Sequence, residues 1–308
     1  MKPAIHREIG GYPECESFGA LPYHKDAIQI NSGRNALKYI IQAYDIKKLY
    51  VPRYTCPVVC DAAQEEGCEL KFYEIDKTLM PAQDFPDNAY ILCNDYFGVC
   101  NDNVTQLAKR YKNLIVDNAQ SFYASPKGLA SFYSPRKFFG LPDGGLLICD
   151  KQLPIALKND ISYERATHLY KRLELGANAA YNDFKRNENS LAGQPILKMS
   201  KLTQSLMGNI NYTSVHERRL KNFEYLHKSL KSINELTFSG ITCPMVYPLL
   251  IKRNGIREKL ISNGIYVAHY WPDAKDNTLS NYLLPLPIDQ RYNESDMQHI
   301  IKVISEVF

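Results

Sequence analysis

The segment AIQINSGRNALKYIIQAY, residues 27–44, decides the fold, because it joins a short strand to an amphipathic helix through a glycine-containing turn. Its first four residues have the apolar, β-prone character of a strand, and a polar turn follows at once. In the helix, apolar side chains recur three and four positions apart and form one stripe: Leu37, Ile40, Ile41 and Tyr44. We predict a strand, a turn at 31–34 and a helix that packs one face on a sheet.

Strands continue to alternate with helices through the first half of the chain. A helix begins at Pro57, a residue suited to a first turn, and ends at Gly67, which is suited to a C-terminal cap. Another helix covers about 104–111. Short apolar runs predict further strands at 49–51, 70–75, 90–93, 114–116 and 145–149. This alternation predicts an α/β fold whose mostly parallel sheet is covered on both faces.

The pattern changes after about residue 155, where helical periodicity dominates and one amphipathic stretch runs from about 200 to 232. We predict a large α/β domain over residues 1–198 and a smaller α+β domain over 199–308 that begins with a long helix. The other elements predicted in the second domain are a strand at 245–251, a helix at 257–262, a strand at 266–270 and a terminal helix capped by residues 293–296.

Composition and charge exclude several classes of protein. The chain has 308 residues, 45% of them apolar and 23% charged, with a net charge of +4, so it is neither disordered nor basic enough to indicate a nucleic-acid surface. No apolar run reaches the roughly 18 residues of a membrane span. Residues 1–8 lack the apolar core of a signal peptide. We expect a cytoplasmic protein with no membrane or nucleic-acid partner.

Cysteine and histidine spacing gives no support for a metal site. None of the eight cysteines forms a CxxC pair, and the seven histidines are scattered. Several cysteines, such as Cys93 and Cys149, lie in apolar runs, which indicates small buried side chains in a reducing compartment. The chain also lacks GxGxxG, GxxxxGKS/T, HExxH and GxSxG. The usual signals of nucleotide-phosphate loops, zinc proteases and α/β-hydrolases are therefore missing.

Two polar features follow predicted strands. The turn with Ser32, Gly33 and Arg34 opens a helix, where backbone N–H groups and the helix dipole favour an anion. Glycine can also serve turn geometry alone at such a place. Asp117 directly follows the apolar run at 114–116, and ligands of α/β sheets bind beyond the carboxyl ends of strands. The alternative for Asp117 is a cap for the next turn.

Lys137 is the third candidate. It is flanked by Phe138 and Phe139 and lies upstream of an apolar run. We expect partial desolvation by these rings, which would favour the neutral, nucleophilic amine that a Schiff-base lysine needs. A phosphate cradle, an Asp at a strand end and a desolvated Lys, in this order, are the parts of a pyridoxal-phosphate (PLP) site.

The chain resembles the DegT/DnrJ/EryC1/StrS aminotransferases, the sugar aminotransferases among the PLP enzymes of fold type I. The resemblance covers nearly the whole chain and implies a large domain with a mostly parallel seven-stranded sheet, followed by a smaller C-terminal α+β domain. Five segments carry the resemblance. SGRNAL at 32–37 is similar to the family's SGTxAL, VPRYT at 51–55 is similar to VPSxT, and VDNAQ at 116–120 is similar to xDAAQ. SFYSPRK at 131–137, followed by DGG at 143–145, is similar to SFxxxK…GEGG, and YVAHY at 266–270 is similar to the HY element.

The resemblance implies a role for each matching residue. Lys137 would form the Schiff base and later move a proton as general acid and base, and Asp117 would keep the pyridine nitrogen protonated. Ser131 would bind the phosphate, although it lies one residue further from Lys137 than in the family. The residues that would bind the cofactor are Ser32, Gly33, Arg34, Asp117, Gln120, Ser131 and Lys137.

Several positions depart from the family's pattern. The interval from Asp117 to Lys137 is shorter than usual, which predicts a trimmed hairpin. Cys56 stands where the family often stacks an aromatic ring on the pyridine, so Tyr96 is a candidate to cover it. The sequence ILKMS at 196–200 is an eroded form of NYRMS, the family's segment that reaches into the partner subunit's site.

The implied reaction transfers an amino group from L-glutamate to a keto group of a nucleotide-linked sugar, in polysaccharide or amino-sugar biosynthesis. Candidate substrate contacts are Arg53, Tyr54, Tyr96 and His269, and the alternative for Arg53 is a surface salt bridge. Another PLP reaction, such as dehydration or elimination, and a PLP-binding scaffold without turnover stay open. We also expect a homodimer, in which the turn-rich first 25 residues help to form the interface.

Overall fold

The main sheet has seven strands. The computed structural model describes residues 10–19, 21–274 and 278–307, so the expectation for residues 1–8 lies outside it. The strands are β1 (Ile28–Ile30), β2 (Lys48–Pro52), β3 (Glu69–Tyr73), β4 (Tyr90–Asn94), β5 (Leu114–Asp117), β6 (Ala130–Tyr133) and β7 (Gly145–Cys149). Their order across the sheet is β1-β7-β6-β5-β4-β2-β3.

Strand direction in this sheet is mostly parallel. β3, β2, β4, β5 and β6 pair in parallel, and β7 runs antiparallel to both of its neighbours, β1 and β6. The predicted fold class is confirmed. Sequence reasoning missed β6, whose four residues are all buried and therefore show no alternation between polar and apolar side chains.

The register of three central strands decides where polar groups meet. Asn94 at the end of β4 pairs with Asp117 at the end of β5, and Asp117 pairs with Phe132 in β6. The carboxyl ends of these strands therefore lie side by side at one edge of the sheet. In open α/β sheets this edge is where ligands bind.

Helices α1 (Gly33–Tyr44), α2 (Pro57–Glu65) and α3 (Asn101–Arg110) lie in the first half of the chain. Ser32 caps α1, because its Oγ accepts from the backbone N–H of Asn35 at 3.2 Å. The apolar stripe of α1 packs on the sheet in one buried cluster with Leu92, Ile115 and Leu147. Fully burying a side chain such as Leu37 contributes about 1.5–3 kcal/mol.

The second part of the chain packs around a two-stranded antiparallel sheet of β8 and β9. Helices α6, α7 and α9 share one apolar cluster with this sheet, centred on Leu226, Leu249, Leu260 and Ile300. The elements are α4 (Thr167–Ser190), α5 (Lys201–Met207), α6 (Tyr212–Leu230), β8 (Val246–Leu250), α7 (Ile256–Ser262), α8 (Thr278–Tyr282), β9 (Leu283–Pro287) and α9 (Glu294–Ser305).

Two predictions for the second part are wrong. Residues 266–270 form a loop rather than a strand, because Arg257 donates to the carbonyls of Val267 and Ala268, which a strand would turn to a neighbour. The amphipathic stretch at 200–232 is two helices, since α5 ends at Met207 with Gly208 as its C-cap, and Asn211 caps α6. The division of the chain after residue 198 stays a prediction.

Helix α4 is interrupted at Gly176, whose φ of 83° lies in the left-handed region that favours glycine. The first half of α4 exposes Tyr170, Leu173 and Leu175, and the second half exposes Tyr181. Across residues 10–19, 21–274 and 278–307, the structure contains no helix long and apolar enough to cross a membrane.

Candidate active site

Asp117 is buried at the end of β5 and is held by one hydrogen bond, which its Oδ1 accepts from the backbone N–H of Ala119 at 2.8 Å. Burial raises the pKa of Asp117, and the nearby Lys137 cation and the Ala119 N–H oppose that rise. No group in the described part of the chain donates to its Oδ2. One oxygen of this buried carboxylate is therefore available to a cationic N–H.

The turn before α1 lies against the loop that carries Lys137. Gly144 donates its N–H to the carbonyl of Asn31 at 2.7 Å, and a β-carbon on Gly145 would lie 2.4 Å from the carbonyl carbon of Ser32. Only glycine at 145 allows this approach. A β-carbon on Gly33 would lie 3.6 Å from the Cβ of Ser134, so Ser134 stands beside the first turn of α1.

The first turn of α1 offers backbone donors. Amides at a helix start have no acceptor within the helix, and the Ser32 side chain takes only that of Asn35. The amide of Arg34 has no acceptor among the residues that the structure describes, and Arg34 is itself a partly buried, cationic residue of this turn. These features, together with the dipole of α1, suit an anion such as a phosphate.

Lys137 ends a short turn, Pro135–Lys137, in which its backbone N–H donates to the carbonyl of Ser134 at 3.1 Å. Its side chain is exposed, so the expected desolvation by aromatic neighbours is wrong. Phe138 and Phe139 are instead buried in a cluster with Phe122, where they anchor the loop rather than cover the amine.

Further buried polar atoms near this sheet edge lack hydrogen-bond partners in the described structure, among them Asn118 Nδ2, next to Asp117. The Tyr54 hydroxyl, two residues after β2, and Asn94 Oδ1, at the end of β4, are buried and have no hydrogen-bond partner in the described structure. Buried polar atoms are normally paired, and an unpaired one costs about 1–3 kcal/mol. Burial also raises the pKa of Tyr54 far above its usual value. A polar ligand at this edge would satisfy these groups.

The side chain of Gln120 is hydrogen-bonded to the backbone of a segment that follows β4. Its Oε1 accepts from the N–H of Phe97 at 3.0 Å, and Phe97 has a φ of 58°, in the left-handed region. Such a conformation costs roughly 1–3 kcal/mol in a non-glycine residue. Gln120 is therefore a buried residue that stabilises the Phe97 backbone.

Ser131 does not point to a ligand. Its hydroxyl donates to the carbonyl of Lys127 at 2.9 Å and accepts from the Lys127 N–H at 3.0 Å, inside a buried turn. Because a phosphate needs donors and this hydroxyl has one proton, the expected phosphate contact is wrong. Ser134, which sequence reasoning missed, lies nearer to the α1 turn. The unusual spacing between Ser131 and Lys137 was the signal in the sequence that another residue could take the place of Ser131.

Among the four candidate substrate contacts, the structure does not support Arg53. It pairs with Glu74 at 2.6 Å and lies over the ring of Phe72 in the edge strand β3, which favours the alternative, a surface salt bridge. Tyr54 is almost wholly buried and faces the core, apart from its unpaired hydroxyl.

The other two candidates, Tyr96 and His269, are also hydrogen-bonded within the protein. Tyr96 is buried in the core and donates its hydroxyl to the carbonyl of Tyr54 at 2.7 Å, so neither face of its ring is open to a ligand. The Nε2 of His269 pairs with the carbonyl of Ser280 at 2.8 Å, although its neighbours Ala268 and Tyr270 line a cavity.

That cavity, of about 980 Å³, opens beside Lys137 and does not extend to Asp117. One wall is the part of α4 from His168 to Phe184, and the facing wall is the loop 263–268, so Tyr181, Phe184 and Tyr266 contribute exposed rings. The Tyr266 hydroxyl links the two walls, since it donates to Asn178 Oδ1 at 3.1 Å. Sequence reasoning did not identify any of these residues.

The cavity carries an excess of positive charge. Asp289 binds Arg291 through both carboxylate oxygens, at 2.7 and 2.8 Å. Arg172 lies in the wall and has no carboxylate partner in the described ranges. Together with Lys137, it offers cations to an anionic ligand.

Solved structures with this fold include several sugar-modifying enzymes. A DegT/DnrJ/EryC1/StrS aminotransferase from Brucella abortus is 17% identical, with a TM-score of 0.61 over 91% of this chain and 85% of that one. Sugar aminotransferase CalS13 from Micromonospora echinospora is 11% identical, with a TM-score of 0.61 over 92% and 87%. GDP-4-keto-6-deoxymannose-3-dehydratase, ColD, is 18% identical, with a TM-score of 0.62 over 90% and 88%.

These comparisons confirm the predicted fold. No protein-family model and no curated protein matches the chain. At identities below 20%, the likeness extends to the arrangement of strands and helices. It does not by itself carry an activity to this chain.

Proposed function

We propose that the chain is a PLP-dependent aminotransferase in which Lys137 carries the cofactor. One observation supports this most strongly. Asp117, buried with one oxygen unpaired, interacts with Lys137, and the Lys137 loop lies against the first turn of α1. An anion site, a buried carboxylate and a free amine within one sheet edge match the three anchor points of PLP.

The residues fit the group. The unpaired oxygen of Asp117 suits a pyridinium N–H, which would remove the cost of an incompletely paired buried carboxylate. The Arg34 amide, the Arg34 side chain and the Ser134 hydroxyl supply donors for a phosphate. Lys137 has no ion pair or hydrogen bond through its amine within the described ranges, so its amine is free to react.

When bound, PLP supplies an electron sink for a carbanion at the substrate. The chain's own residues have the other tasks. Asp117 holds the proton on the pyridine nitrogen, and the α1 turn binds the phosphate. Lys137 holds and releases a proton at its Nζ as general acid and base. Gln120 fixes the Phe97 peptide beside the site.

We propose L-glutamate as amino donor and the keto group of a nucleotide-linked sugar as acceptor. The sugar aminotransferases that share the fold support this acceptor, and so does the size of the cavity beside Lys137. Arg172 suits a diphosphate, and the rings of Tyr181 and Tyr266 suit a base or a sugar face. Such a reaction serves polysaccharide or amino-sugar biosynthesis.

A sugar dehydratase is the second candidate, because ColD shares the fold at a similar TM-score. Both reactions would use Lys137 and Asp117, and the product distinguishes them. Dehydration releases the sugar without a hydroxyl, whereas amination adds a nitrogen to it. A PLP-binding scaffold without turnover is a third outcome of the same test.

We also propose a cytoplasmic homodimer. All eight cysteines have free thiols, as expected in a reducing compartment. The exposed side chains of Tyr170, Leu173 and Leu175 on α4 form an apolar surface that a second copy of this chain would cover. Sedimentation at micromolar concentration tests the dimer, and a fully active monomer would contradict it.

The test of the reaction uses protein loaded with the aminated cofactor, mixed with nucleotide keto-sugars or with small keto acids. A nitrogen-containing nucleotide sugar among the products supports the proposal. Reaction with small keto acids alone indicates amino-acid transamination, and loss of a sugar hydroxyl indicates the dehydratase.

Two variants test the acceptor site. Arg172→Ala should raise the KM for the nucleotide sugar about tenfold, because it removes a charged partner of the diphosphate, and leave the reaction with glutamate unchanged. Arg186→Ala is the matched control, since Arg186 lies on α4, outside the cavity wall, and pairs with Asp183. Equal KM values for both variants would remove Arg172 from the site.

A further inference from the structure

A buried arginine lies behind the lysine loop, residues 134–144, which joins β6 to β7 and carries Lys137. Arg219, in the middle of α6, is 1% exposed. A guanidinium is expensive to bury unless its N–H groups are paired. Its hydrogen-bond partners in the described part of the chain are all uncharged oxygens. The charge is therefore not used to neutralise a carboxylate in direct contact.

The contacts of Arg219 join three segments. Its Nη2 donates to the carbonyl of Phe138 at 3.2 Å, its Nη1 to the carbonyl of Met245 at 3.1 Å and its Nε to Gln290 Oε1 at 3.0 Å. The guanidinium carbon also lies 4.5 Å from the centre of the Phe138 ring. Arg219 thus ties the entrance of β8 and the segment before α9 to the residue that follows Lys137.

The charged groups around Arg219 favour a fixed cation. Burial lowers the pKa of Arg219, and Asp289, beyond β9, opposes that shift together with Cys243 and Tyr123, whereas Arg291 adds to it. The guanidinium stays charged, because its usual pKa is far above neutrality. Its donors therefore remain available at any pH at which the protein is folded.

The lysine loop depends on its backbone for direction. The Lys137 side chain is exposed, and its amine makes no hydrogen bond or ion pair with the described residues. On one side, the Lys137 N–H donates to the carbonyl of Ser134. On the other, the Phe138 carbonyl accepts from Arg219 and from Gln290 Nε2, the latter at 2.8 Å. The backbone on both sides of the Lys137 side chain is therefore fixed by hydrogen bonds.

We propose that Arg219 is a positioning residue for Lys137: by gripping the Phe138 carbonyl from α6, it sets the direction of the amine and couples the loop to the small sheet. The chemistry of this role rests on the proposed function, because the amine must meet the aldehyde of PLP. The grip on the loop does not depend on the cofactor.

Four variants separate positioning from plain stability. Arg219→Met removes the donors and keeps much of the volume, and Arg219→Lys keeps a charge and one donor group. Asn222→Ala is the matched control, since Asn222 is buried one turn later on α6 and ties the Ile288 and Tyr292 carbonyls, but not the lysine loop. Arg218→Met removes an exposed charge from the same helix.

The first measurement needs no cofactor. Amide hydrogen exchange of the peptide covering residues 134–141 should be about tenfold faster in Arg219→Met and less affected in Arg219→Lys. In Asn222→Ala and Arg218→Met it should match the parent chain. Equal exchange in Arg219→Met and Asn222→Ala would overturn the proposal.

The second measurement follows condensation of the Lys137 amine with the PLP aldehyde, which forms a C=N bond and releases one water. Arg219→Met should slow this step about tenfold or more, because a misdirected amine loses its reactive geometry. The PLP concentration for half-saturation should stay within about twofold of the parent value, since the phosphate site is intact. A changed half-saturation with an unchanged rate would contradict positioning.

The two measurements distinguish the inference from the proposed function. If the parent chain does not condense with PLP, the proposed function fails. Hydrogen exchange still tests whether Arg219 holds the lysine loop. If Arg219→Met does not fold, Arg219→Gln takes its place, because it removes the guanidinium that donates to the Phe138 carbonyl and keeps a polar group in the buried site. Exchange in residues 134–141 that is unchanged in this variant would overturn the proposal.

Discussion

The buried carboxylate of Asp117 interacts with the charge of the exposed Lys137 amine, and this attraction opposes the rise that burial causes in the pKa of Asp117. Parallel pairing of β5 with β6 produces the relationship, because Asp117 pairs with Phe132 and the chain then turns within a few residues to Lys137. A buried acid and a free amine are thereby held at one edge of the sheet.

Asp117→Asn should retain PLP and lose turnover. The amide keeps the shape of the carboxylate but no longer stabilises a proton on the pyridine nitrogen, so we expect kcat to fall about 100-fold or more. Asp95→Asn is the control, because Asp95 is equally buried beyond β4 and its carboxylate pairs with Cys100 and Asn101. Equal losses of kcat in both variants would contradict the role of Asp117.

The approach of β7 to the α1 turn predicts a contrast between two glycines. Gly145→Ala should lower the free energy of unfolding by about 3 kcal/mol or more, because its β-carbon would lie 2.4 Å from Ser32 backbone. Gly33→Ala should change it by less than about 1 kcal/mol, since its nearest neighbour would be 3.6 Å away. Urea unfolding checks both, and a mild effect of Gly145→Ala would show that the approach is looser than described.

Two serines before Lys137 should behave differently. Ser134→Ala should raise the Kd for PLP about tenfold, because it removes a hydroxyl beside the phosphate turn. Ser131→Ala should leave that Kd unchanged and cost about 1 kcal/mol of stability, since its bonds stay within the Lys127 turn. Titration of the apoprotein with PLP measures the Kd. The reverse result would restore Ser131 as the phosphate contact.

His24 predicts a loss of stability in mild acid. Its Nε2 lies 2.6 Å from the carbonyl of Phe122, and burial lowers its pKa. The folded state therefore keeps this ring neutral while the unfolded chain takes up a proton below about pH 6.5. Stability should fall as the pH drops below that value, by up to about 1.4 kcal/mol per pH unit from this group.

His24→Gln should reduce that slope while its amide keeps a donor for Phe122. His168 and His227, whose pKa values are also lowered by burial, remain in both proteins and cancel in the comparison. Urea unfolding between pH 5 and 8 gives the slopes. Identical slopes in the parent and the variant would remove His24 from this account.

The sequence was sufficient to predict the site residues that depend on chain order. Asp117 directly follows a continuous apolar run, and the Ser32 turn lies between a strand and an amphipathic helix, so local pattern gives their places. The resemblance implied Lys137 as the cofactor lysine, and this assignment stays a proposal. It did not show that Phe138 and Phe139 would turn inward and leave the Lys137 side chain exposed.

Contacts between distant segments could not be predicted in this way. The pairing of Arg53 with Glu74 depends on the register of β2 against β3. Arg219 lies in a polar stretch whose pattern is typical of a surface helix. Its burial depends on contacts with Phe138, Met245 and Gln290, which are distant from it in sequence. The cavity between α4 and the loop 263–268 could not be predicted for the same reason, because the sequence of neither segment shows that the two lie close together.

Borohydride reduction of the purified protein in the presence of PLP, followed by peptide mapping, shows which lysine binds the cofactor. Lys137→Arg and Lys109→Arg, which changes an exposed lysine at the end of α3, are the variant and its control. We expect one labelled peptide, containing Lys137, in the parent chain and in Lys109→Arg, and no label in Lys137→Arg. A label on any other lysine, or none in the parent chain at full PLP saturation, would contradict the proposal.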